Sequence, residues 1–181
     1  MKPDDEILVR RCLEGDSIGF EGLLQRYEKP VFNVALRMVG DRDEARDVTQ
    51  AVFFKVFRSL TSFDPGQRFF SWVYRIAVNE SLNALGRRRT ADPLDAYALQ
   101  DTRRDPAESA EAAERGIAVR KALMSLAPDH RAVIVLRHFA ECSYAEIAQI
   151  LDLPEKTVKS RLFTARQQLK QGLVARGRRT V

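Results

Sequence analysis

The sequence predicts an all-α protein, built as two small helical domains joined by a flexible acidic linker. Apolar residues recur at helical spacing along most of the chain, and the period-two pattern of strands is nearly absent. With 181 residues, 45% of them hydrophobic, the chain can form two packed cores. The periodic pattern breaks in the middle, which predicts domains over 1–90 and 113–175 with a linker over 91–112.

The charges are unevenly distributed between these parts. Residues 1–90 carry 15 basic and 13 acidic side chains, residues 91–118 carry 3 and 7, and residues 119–181 carry 12 and 5. A concentrated basic block indicates a polyanionic partner, although a merely soluble surface explains the charge alone equally well.

Several classes of protein are excluded. Cys12 and Cys142 form no C-x-x-C pair, which favours a reducing cytoplasmic location, and no apolar run approaches the ~18 residues of a membrane span. The acidic N-terminus does not resemble a signal peptide. His130 and His138 fit no common zinc spacing, and no catalytic constellation is apparent. We therefore expect no metal, no cofactor, no enzymatic activity and no membrane insertion.

Five helices are predicted in the N-terminal block, over 4–14, 17–28, 30–39, 42–60 and 69–86. Pro30 is expected to open a helix, because proline fits the first turn and breaks a helix interior. Asp41 and Glu44 resemble a capping box, and Asp64-Pro65-Gly66 is typical of a turn.

The helix over 42–60 has two contrasting faces. The apolar face, expected in the core, consists of Val48, Val52, Phe53, Val56 and Leu60. The opposite face carries Asp43, Glu44, Asp47, Gln50, Phe54 and Arg58. A phenylalanine ringed by charges suits a protein–protein contact. The alternative, that Phe54 packs on a neighbouring helix, is slightly favoured by this helix alone.

The helix over 69–86 also has an unusual second face. Its core face consists of Phe70, Val73, Tyr74, Ala77, Val78 and Leu85, and its opposite face of Trp72, Ile76, Asn79 and Asn83, with Arg75 at the flank. Arg87, Arg88 and Arg89 follow. Such a face can stack on bases and hydrogen-bond their edges. A helix buried on all sides explains the spacing at least as well.

The C-terminal block predicts a helix-turn-helix. A helix near 110–126 is followed by one that starts at Ala127-Pro128. A capping box, Ser143 to Glu146, then opens a short helix that ends at Asp152-Leu153-Pro154. The last helix, 155–171, buries the stripe Val158, Leu162, Ala165 and Leu169 and presents Lys156, Ser160, Phe163 and Gln167, flanked by Lys159, Arg161, Thr164, Arg166 and Lys170. This pattern favours major-groove binding over the alternative of a helical bundle with a solvated basic face.

Two stretches carry a family resemblance. FDPGQRFFSWVYRIAVNESLNALGRRR and SYAEIAQILDLPEKTVKSRLFTARQQL closely resemble signature blocks of bacterial extracytoplasmic-function (ECF) sigma factors of the sigma-70 superfamily. The resemblance covers about 10–90 and 115–172. It implies a region 2 domain followed by a region 4 domain.

The resemblance also implies roles for particular residues. It implies that one set of residues contacts the clamp helices of the largest subunit of core RNA polymerase: Asp43, Glu44, Asp47, Gln50 and Phe54. Recognition and melting of the −10 element fall to Phe63, Asp64, Trp72, Arg75, Asn79, Asn83, Arg87 and Arg88, with the loop 63–68 capturing a flipped base. Recognition of the −35 duplex falls to Lys156, Lys159, Ser160, Arg161, Phe163, Thr164 and Arg166.

This sequence departs from the family pattern at three positions. Arg46 and Ala51 replace typical glutamates, which implies altered polymerase contacts, and Thr164 replaces a frequent arginine, which implies an altered −35 preference.

The implied function is that of an alternative sigma factor. The chain would bind core RNA polymerase and promoter DNA, direct initiation, and be restrained by an anti-sigma factor. Two alternatives stay open: a DNA-binding regulator that works without polymerase, and a sigma-like decoy that captures an anti-sigma protein.

Overall fold

The computed structural model describes residues 4–91 and 110–177, which are mostly helical and contain no strand. The helices are α1 (Asp5–Leu13), α2 (Ser17–Val39), α3 (Arg42–Ser59), α4 (Phe69–Ala91), α5 (Ala110–Met124), α6 (Pro128–His138), α7 (Tyr144–Leu151) and α8 (Glu155–Gly177), with a 3-10 turn at Leu60–Ser62. The predicted all-α class is confirmed. Most of the predicted linker, 92–109, lies outside the described residues, and its two ends belong to α4 and α5.

One predicted helix boundary is wrong. Pro30 lies inside the continuous helix α2 and does not open a separate one. Proline removes one hydrogen bond to the carbonyl of Arg26 and crowds it, at a cost of about 3 kcal/mol. Burial of α2 on both sides of Pro30, at Tyr27 and Val31, outweighs this cost.

The N-terminal module, α1 to α4, packs around α2. Helix α2 contacts α1, α3 and α4. The predicted core face of α3 is confirmed, since Val48, Val52 and Val56 are all buried. The opposite face of α3 therefore points away from this core.

In the C-terminal module, α5 to α8, helix α8 contacts α5, α6 and α7, and α6 also contacts α7. Every residue of α6 from 131 to 136 is buried. The two modules also contact each other: α4 meets α7, and α2 meets α5 and α6.

Side-chain caps fix where several helices begin. Asp16 accepts a hydrogen bond from the Ile18 amide at 2.9 Å, and Asp41 accepts one from the Glu44 amide at 2.8 Å. Helix α2 ends at Gly40, whose φ of 82° lies in the left-handed region that glycine adopts without strain.

Candidate nucleic-acid and protein interfaces

Helices α7 and α8 form the predicted helix-turn-helix. Ser143 Oγ accepts from the Glu146 amide at 3.2 Å, and the Glu146 carboxylate accepts from the Ser143 amide at 2.7 Å, so the predicted capping box is confirmed. Asp152 closes α7 in a left-handed conformation at φ 52°. This turn directs the chain into α8 and fixes the angle between the two helices.

The inner stripe of α8 determines which of its residues face outward. Val158, Leu162 and Ala165 are buried, as predicted, and α8 packs against α6 and α7. The outward face is exposed and carries Lys156, Lys159, Ser160, Phe163, Thr164 and Arg166. Phe163 is 67% exposed, although contact of its apolar ring with water does not stabilise the protein. The cations of this face can bind DNA phosphates, and the exposed ring can contact a thymine methyl group in the major groove.

Two cations of this module lie close to the ring of Tyr144. Arg137 lies 5.2 Å from its centroid and Lys159 lies 5.7 Å from it. Lys159 also approaches Glu155 at 3.3 Å. These contacts hold the Lys159 ammonium near the start of α8.

Two predicted −35 residues at the flanks of α8 have side-chain partners on α6. Arg161 is half-buried and approaches Asp129 at 3.4 Å, and Arg166 lies 3.4 Å from His138 Nε2. Burial, followed by the charges of Arg166 and Arg137, lowers the pKa of His138. Because the neutral imidazole carries no charge, it is not repelled by the nearby Arg166 guanidinium.

The loop before α4 is anchored by an aromatic cluster. Phe63 contacts Phe69 at a centroid distance of 5.5 Å and Trp72 at 5.2 Å. Trp72 is half-buried in this cluster. The predicted turn is present, since the Gly66 amide donates to Asp64 Oδ1 at 2.9 Å and the Gln67 amide to the Asp64 carbonyl at 3.0 Å. Asp64 is therefore held by its own turn.

Farther along α4, Asn79, Asn83 and Arg87 form an exposed polar strip. Asn83 donates to the buried carboxylate of Glu80 at 3.2 Å, and Lys55 pairs with the same carboxylate at 2.5 Å. These bonds orient the Asn83 amide.

The other predicted −10 residues of α4 have partners. Arg88 lies 3.9 Å from Glu44, and Arg75 donates to the Gln149 carbonyl of α7 at 2.5 Å. The structure thus brings Phe63, Asp64 and Trp72 together, and places Arg75 against the other module.

The outward face of α3 is acidic and aromatic. Asp43, Asp47 and Gln50 are exposed, and Phe54 is 60% exposed, so it does not pack into a neighbouring helix. Glu44 is half-buried beside Arg88, and burial is the main cause that raises its pKa. Arg46, one of the departures from the family pattern, pairs with Asp43 at 2.7 Å.

An apolar groove adjoins this face and was not predicted. It has a volume of about 770 Å³ and is lined by side chains of α2 and α3, among them Phe20, Leu24, Phe32, Phe53, Phe54 and Phe57. Phe57 is 65% exposed and meets Phe20 edge-on at 5.3 Å. Its position three residues after Phe54, on a neighbouring strip of α3, is the signal that could have identified it.

Within residues 4–91 and 110–177, no helix is long and apolar enough to cross a membrane. No cluster of metal-ligating side chains occurs among the residues that the structure describes.

Comparisons with known proteins agree with this geometry. The sigma-70 region 2 family model matches residues 23–91, and the sigma-70 region 4 model matches residues 117–169. The RNA polymerase sigma-H factor of Pseudomonas aeruginosa is 32% identical over 180 residues, covering 93% of each chain. The ECF RNA polymerase sigma-E factor of Escherichia coli K12 is 36% identical over 174 residues, covering 90% of this chain and 91% of that protein.

Solved structures are similar along both modules. CnrH in complex with the cytosolic domain of CnrY aligns with a TM-score of 0.72 and 27% identity, over 94% of this chain and 97% of CnrH. The sigma factor RpoE in complex with the anti-sigma factor NepR from Bartonella quintana aligns with a TM-score of 0.70 and 25% identity, over 85% of this chain and 96% of RpoE. Both family regions occur in order and the relatives align over nine-tenths of the chain, so this protein belongs to the sigma-70 family, as an ECF sigma factor.

Proposed function

We propose that this ECF sigma factor uses three separate surfaces to direct initiation. The outward face of α8 reads the −35 duplex, α4 with its preceding loop reads and melts the −10 element, and α3 docks on core RNA polymerase. The observation that carries the proposal is the outward face of α8, where Lys156, Lys159 and Arg166 are exposed on the same helix as Phe163, which is 67% exposed.

The −35 site follows from the position of each side chain on α8. Lys159, Ser160 and Phe163 point away from the module core, where one helix width fits a major groove ~12 Å wide. Lys156 and Arg166 extend this face toward the phosphates, and Thr164 offers a hydroxyl in place of a cation. Arg161, paired with Asp129, supports the helix from the side.

The −10 site combines the aromatic cluster with the polar strip of α4. Trp72 and Phe63 offer ring faces beside the loop that is assigned to a flipped base, and stacking offsets the few kcal/mol of base extrusion. Asn79, Asn83 and Arg87 continue along the path of the single strand.

The polymerase site combines the charges of α3 with the groove beside it. Asp43, Asp47, Gln50 and Phe54 lie along the exposed face of α3, and the groove supplies apolar surface for a partner helix. The clamp helices of the largest polymerase subunit are the partner we assign to it.

The remaining features of the proposed function rest on the family. The protein works in the cytoplasm without catalysing a reaction and without a cofactor. Its domains span 1–90 and 113–175, and the linker 91–112 connects them. CnrH was solved with the cytosolic domain of CnrY, and RpoE was solved with the anti-sigma factor NepR, which supports an anti-sigma factor as a further partner.

Transcription by a reconstituted enzyme tests the proposal. Core RNA polymerase with this protein is expected to initiate from a subset of a genomic promoter library, and core polymerase alone is not. Unchanged transcript patterns would contradict the proposal, and specific duplex binding without polymerase would support an independent regulator instead.

The polymerase surface has its own test. Asp47→Arg places a cation in the acidic face of α3, and we expect at least about ten-fold weaker retention on immobilised core polymerase. Glu21→Arg, an exposed α2 position outside the groove, is the matched control and is expected to bind as the parent does. Equal retention of both variants would remove α3 from the interface.

A further inference from the structure

A carboxylate is buried beside the polar strip of α4. Glu80 is 7% exposed, and its Oε1 atom pairs with Lys55 Nζ of α3 at 2.5 Å. A buried carboxylate is costly unless it is paired and hydrogen-bonded, so the lysine stabilises this charge inside the module. The position of the Glu80 carboxylate is therefore set by two helices, α3 and α4.

The same carboxylate oxygen accepts a second hydrogen bond, from the polar strip. Asn83 is exposed three residues after Glu80, on the same side of the helix, and its Nδ2 donates to Oε1 at 3.2 Å. A carboxylate paired with an ammonium accepts hydrogen bonds and donates none. Only one orientation of the Asn83 amide makes this bond. In that orientation the NH2 group faces Glu80, and the amide oxygen Oδ1 lies on the side away from it.

Asn79 has the same side chain without this constraint. It is exposed on the same strip, four residues before Asn83. Among the described residues, no carboxylate holds its amide. An amide without such a partner can turn over and present either its oxygen or its NH2 group. The two asparagines therefore offer different hydrogen-bonding groups to a DNA strand.

The bond to Glu80 is strong enough to hold the amide before DNA arrives. Turning the amide over breaks the Nδ2 bond and places Oδ1 against the carboxylate, where two acceptors repel each other. A hydrogen bond to a charged acceptor favours one orientation by at least about ten-fold. Binding therefore does not have to select the orientation of Asn83.

We propose that Glu80, held by Lys55, is a positioning residue that makes Asn83 a hydrogen-bond acceptor toward the −10 strand. The match for Oδ1 is a base that carries an exocyclic amino group, which adenine, cytosine and guanine have. Thymine offers only an imino N–H between two carbonyl oxygens, and these oxygens repel Oδ1. The base that Asn83 reads is therefore an amino-bearing base. The identity of the strand rests on the proposed function, whereas the orientation of the amide rests on the contacts alone.

The variant that tests the positioning is Glu80→Gln. Glutamine has nearly the same shape, but its amide donates as well as accepts, so it can bond to either orientation of Asn83. The matched control is Glu21→Gln, which makes the same change of charge at an exposed position of α2. Lys55→Arg is the conservative variant, since it keeps a cation for Glu80. Asn83→Ala removes the amide itself.

The first measurement needs no DNA. In proton–nitrogen NMR correlation spectra of the full chain, Asn83→Ala and Asn79→Ala assign the two side-chain amides. We expect one Asn83 amide proton to resonate downfield of the Asn79 protons, and this shift to be lost in Glu80→Gln and kept in Glu21→Gln. Matching spectra for the two asparagines in the parent, or an unchanged Asn83 signal in folded Glu80→Gln, would overturn the positioning.

The second measurement uses core RNA polymerase with the full chain on a promoter library that is randomised across the −10 element. The position where Asn83→Ala relaxes the base preference is the one that Asn83 reads. There we expect the parent, Glu21→Gln and Lys55→Arg to favour amino-bearing bases over thymine by at least about five-fold, and Glu80→Gln by less than about two-fold. Preferences at the other positions are expected to stay unchanged. These ratios do not depend on the folded fraction of a variant.

Four outcomes of the transcription measurement would overturn the proposal. They are a preference that survives Glu80→Gln, an equal loss at every position, thymine as the favoured base of the parent, and no position that responds to Asn83→Ala. An equal loss at every position would show that Glu80 only stabilises the module. If the parent transcribes no member of the library, the proposed function fails, and the NMR spectra still decide whether Glu80 orients Asn83.

Discussion

Lys159 lies at the exposed centre of the −35 surface, beside the ring of Tyr144. We predict that Lys159→Ala weakens binding to the −35 duplex and lowers the slope of log affinity against log salt by about 0.9, the value for one lost phosphate contact. Fluorescence anisotropy at several salt concentrations measures this slope.

Lys170 is the matched control for that variant. It is exposed on the same helix, about three turns farther along, outside the predicted −35 set. Lys170→Ala is expected to keep the parent slope, and an equal loss in both variants would show that only net charge matters.

The two cysteines differ in their surroundings, which predicts different reactivity. Burial is the main cause that raises the pKa of Cys142 to about 12, and the nearby Glu146 carboxylate is the second cause. Cys12 is half-buried, and its pKa is raised chiefly by burial and then by Asp16. Because the thiolate is the reactive form, we expect iodoacetamide near pH 8 to modify Cys12 at least about ten-fold faster. Peptide mass spectrometry over time measures both rates, and equal rates in the folded protein would contradict the burial of Cys142.

At this scale the sequence predicted some exposed residues and missed others. Phe54 was identified because it interrupts a charged face. Phe57 was missed: its spacing from Phe54 indicates a neighbouring strip of α3, but its edge-on contact with Phe20 of α2, 37 positions earlier, is not visible within α3. Spacing within one helix does not reveal a partner on another.

At the scale of the element, α2 is a continuous helix that tolerates an internal proline. We predict that Pro30→Ala stabilises the protein by about 1–3 kcal/mol, because alanine restores an amide donor and removes the ring clash, while the more flexible unfolded chain offsets part of the gain. Urea unfolding followed by circular dichroism measures this difference.

The adjacent exposed residue provides the comparison. Lys29→Ala changes a helical surface position without altering backbone hydrogen bonding, and we expect a change below about 0.5 kcal/mol. If Pro30→Ala gives no more than Lys29→Ala, the proline does not strain α2.

Most other helix boundaries followed from local chemistry. Asp41 and Ser143 cap α3 and α7 as predicted, because a capping side chain bonds to amides only two or three residues away. The ends of α4 and α8 lie farther along than the predicted 86 and 171, at Ala91 and Gly177. Helix propensity continues there beyond the last core residue, so the apolar pattern underestimates the length.

At the scale of the whole molecule, the two modules were predicted and their packing was not. Charge and composition separate the blocks, since linker residues lack an apolar pattern. The packing depends on contacts such as Arg131 with Met38, which are 93 residues apart, and on the backbone approach at Gly40. In the helical pattern of a sequence, an arginine that will be buried cannot be distinguished from an arginine on the surface.

Helix α2 reaches from the apolar groove to the contact between the modules. Phe20 and Leu24 line the groove near its start, and Met38 accepts from Arg131 near its end. Met38 follows Phe20 by 18 positions, which span about 27 Å at 1.5 Å per residue. A partner that tilts α2 by about 5° at the groove would shift its C-terminal end by roughly 2 Å. A shift of that size exceeds the range of donor–acceptor distances in a hydrogen bond. The groove and the Arg131 contact therefore lie at opposite ends of one continuous helix.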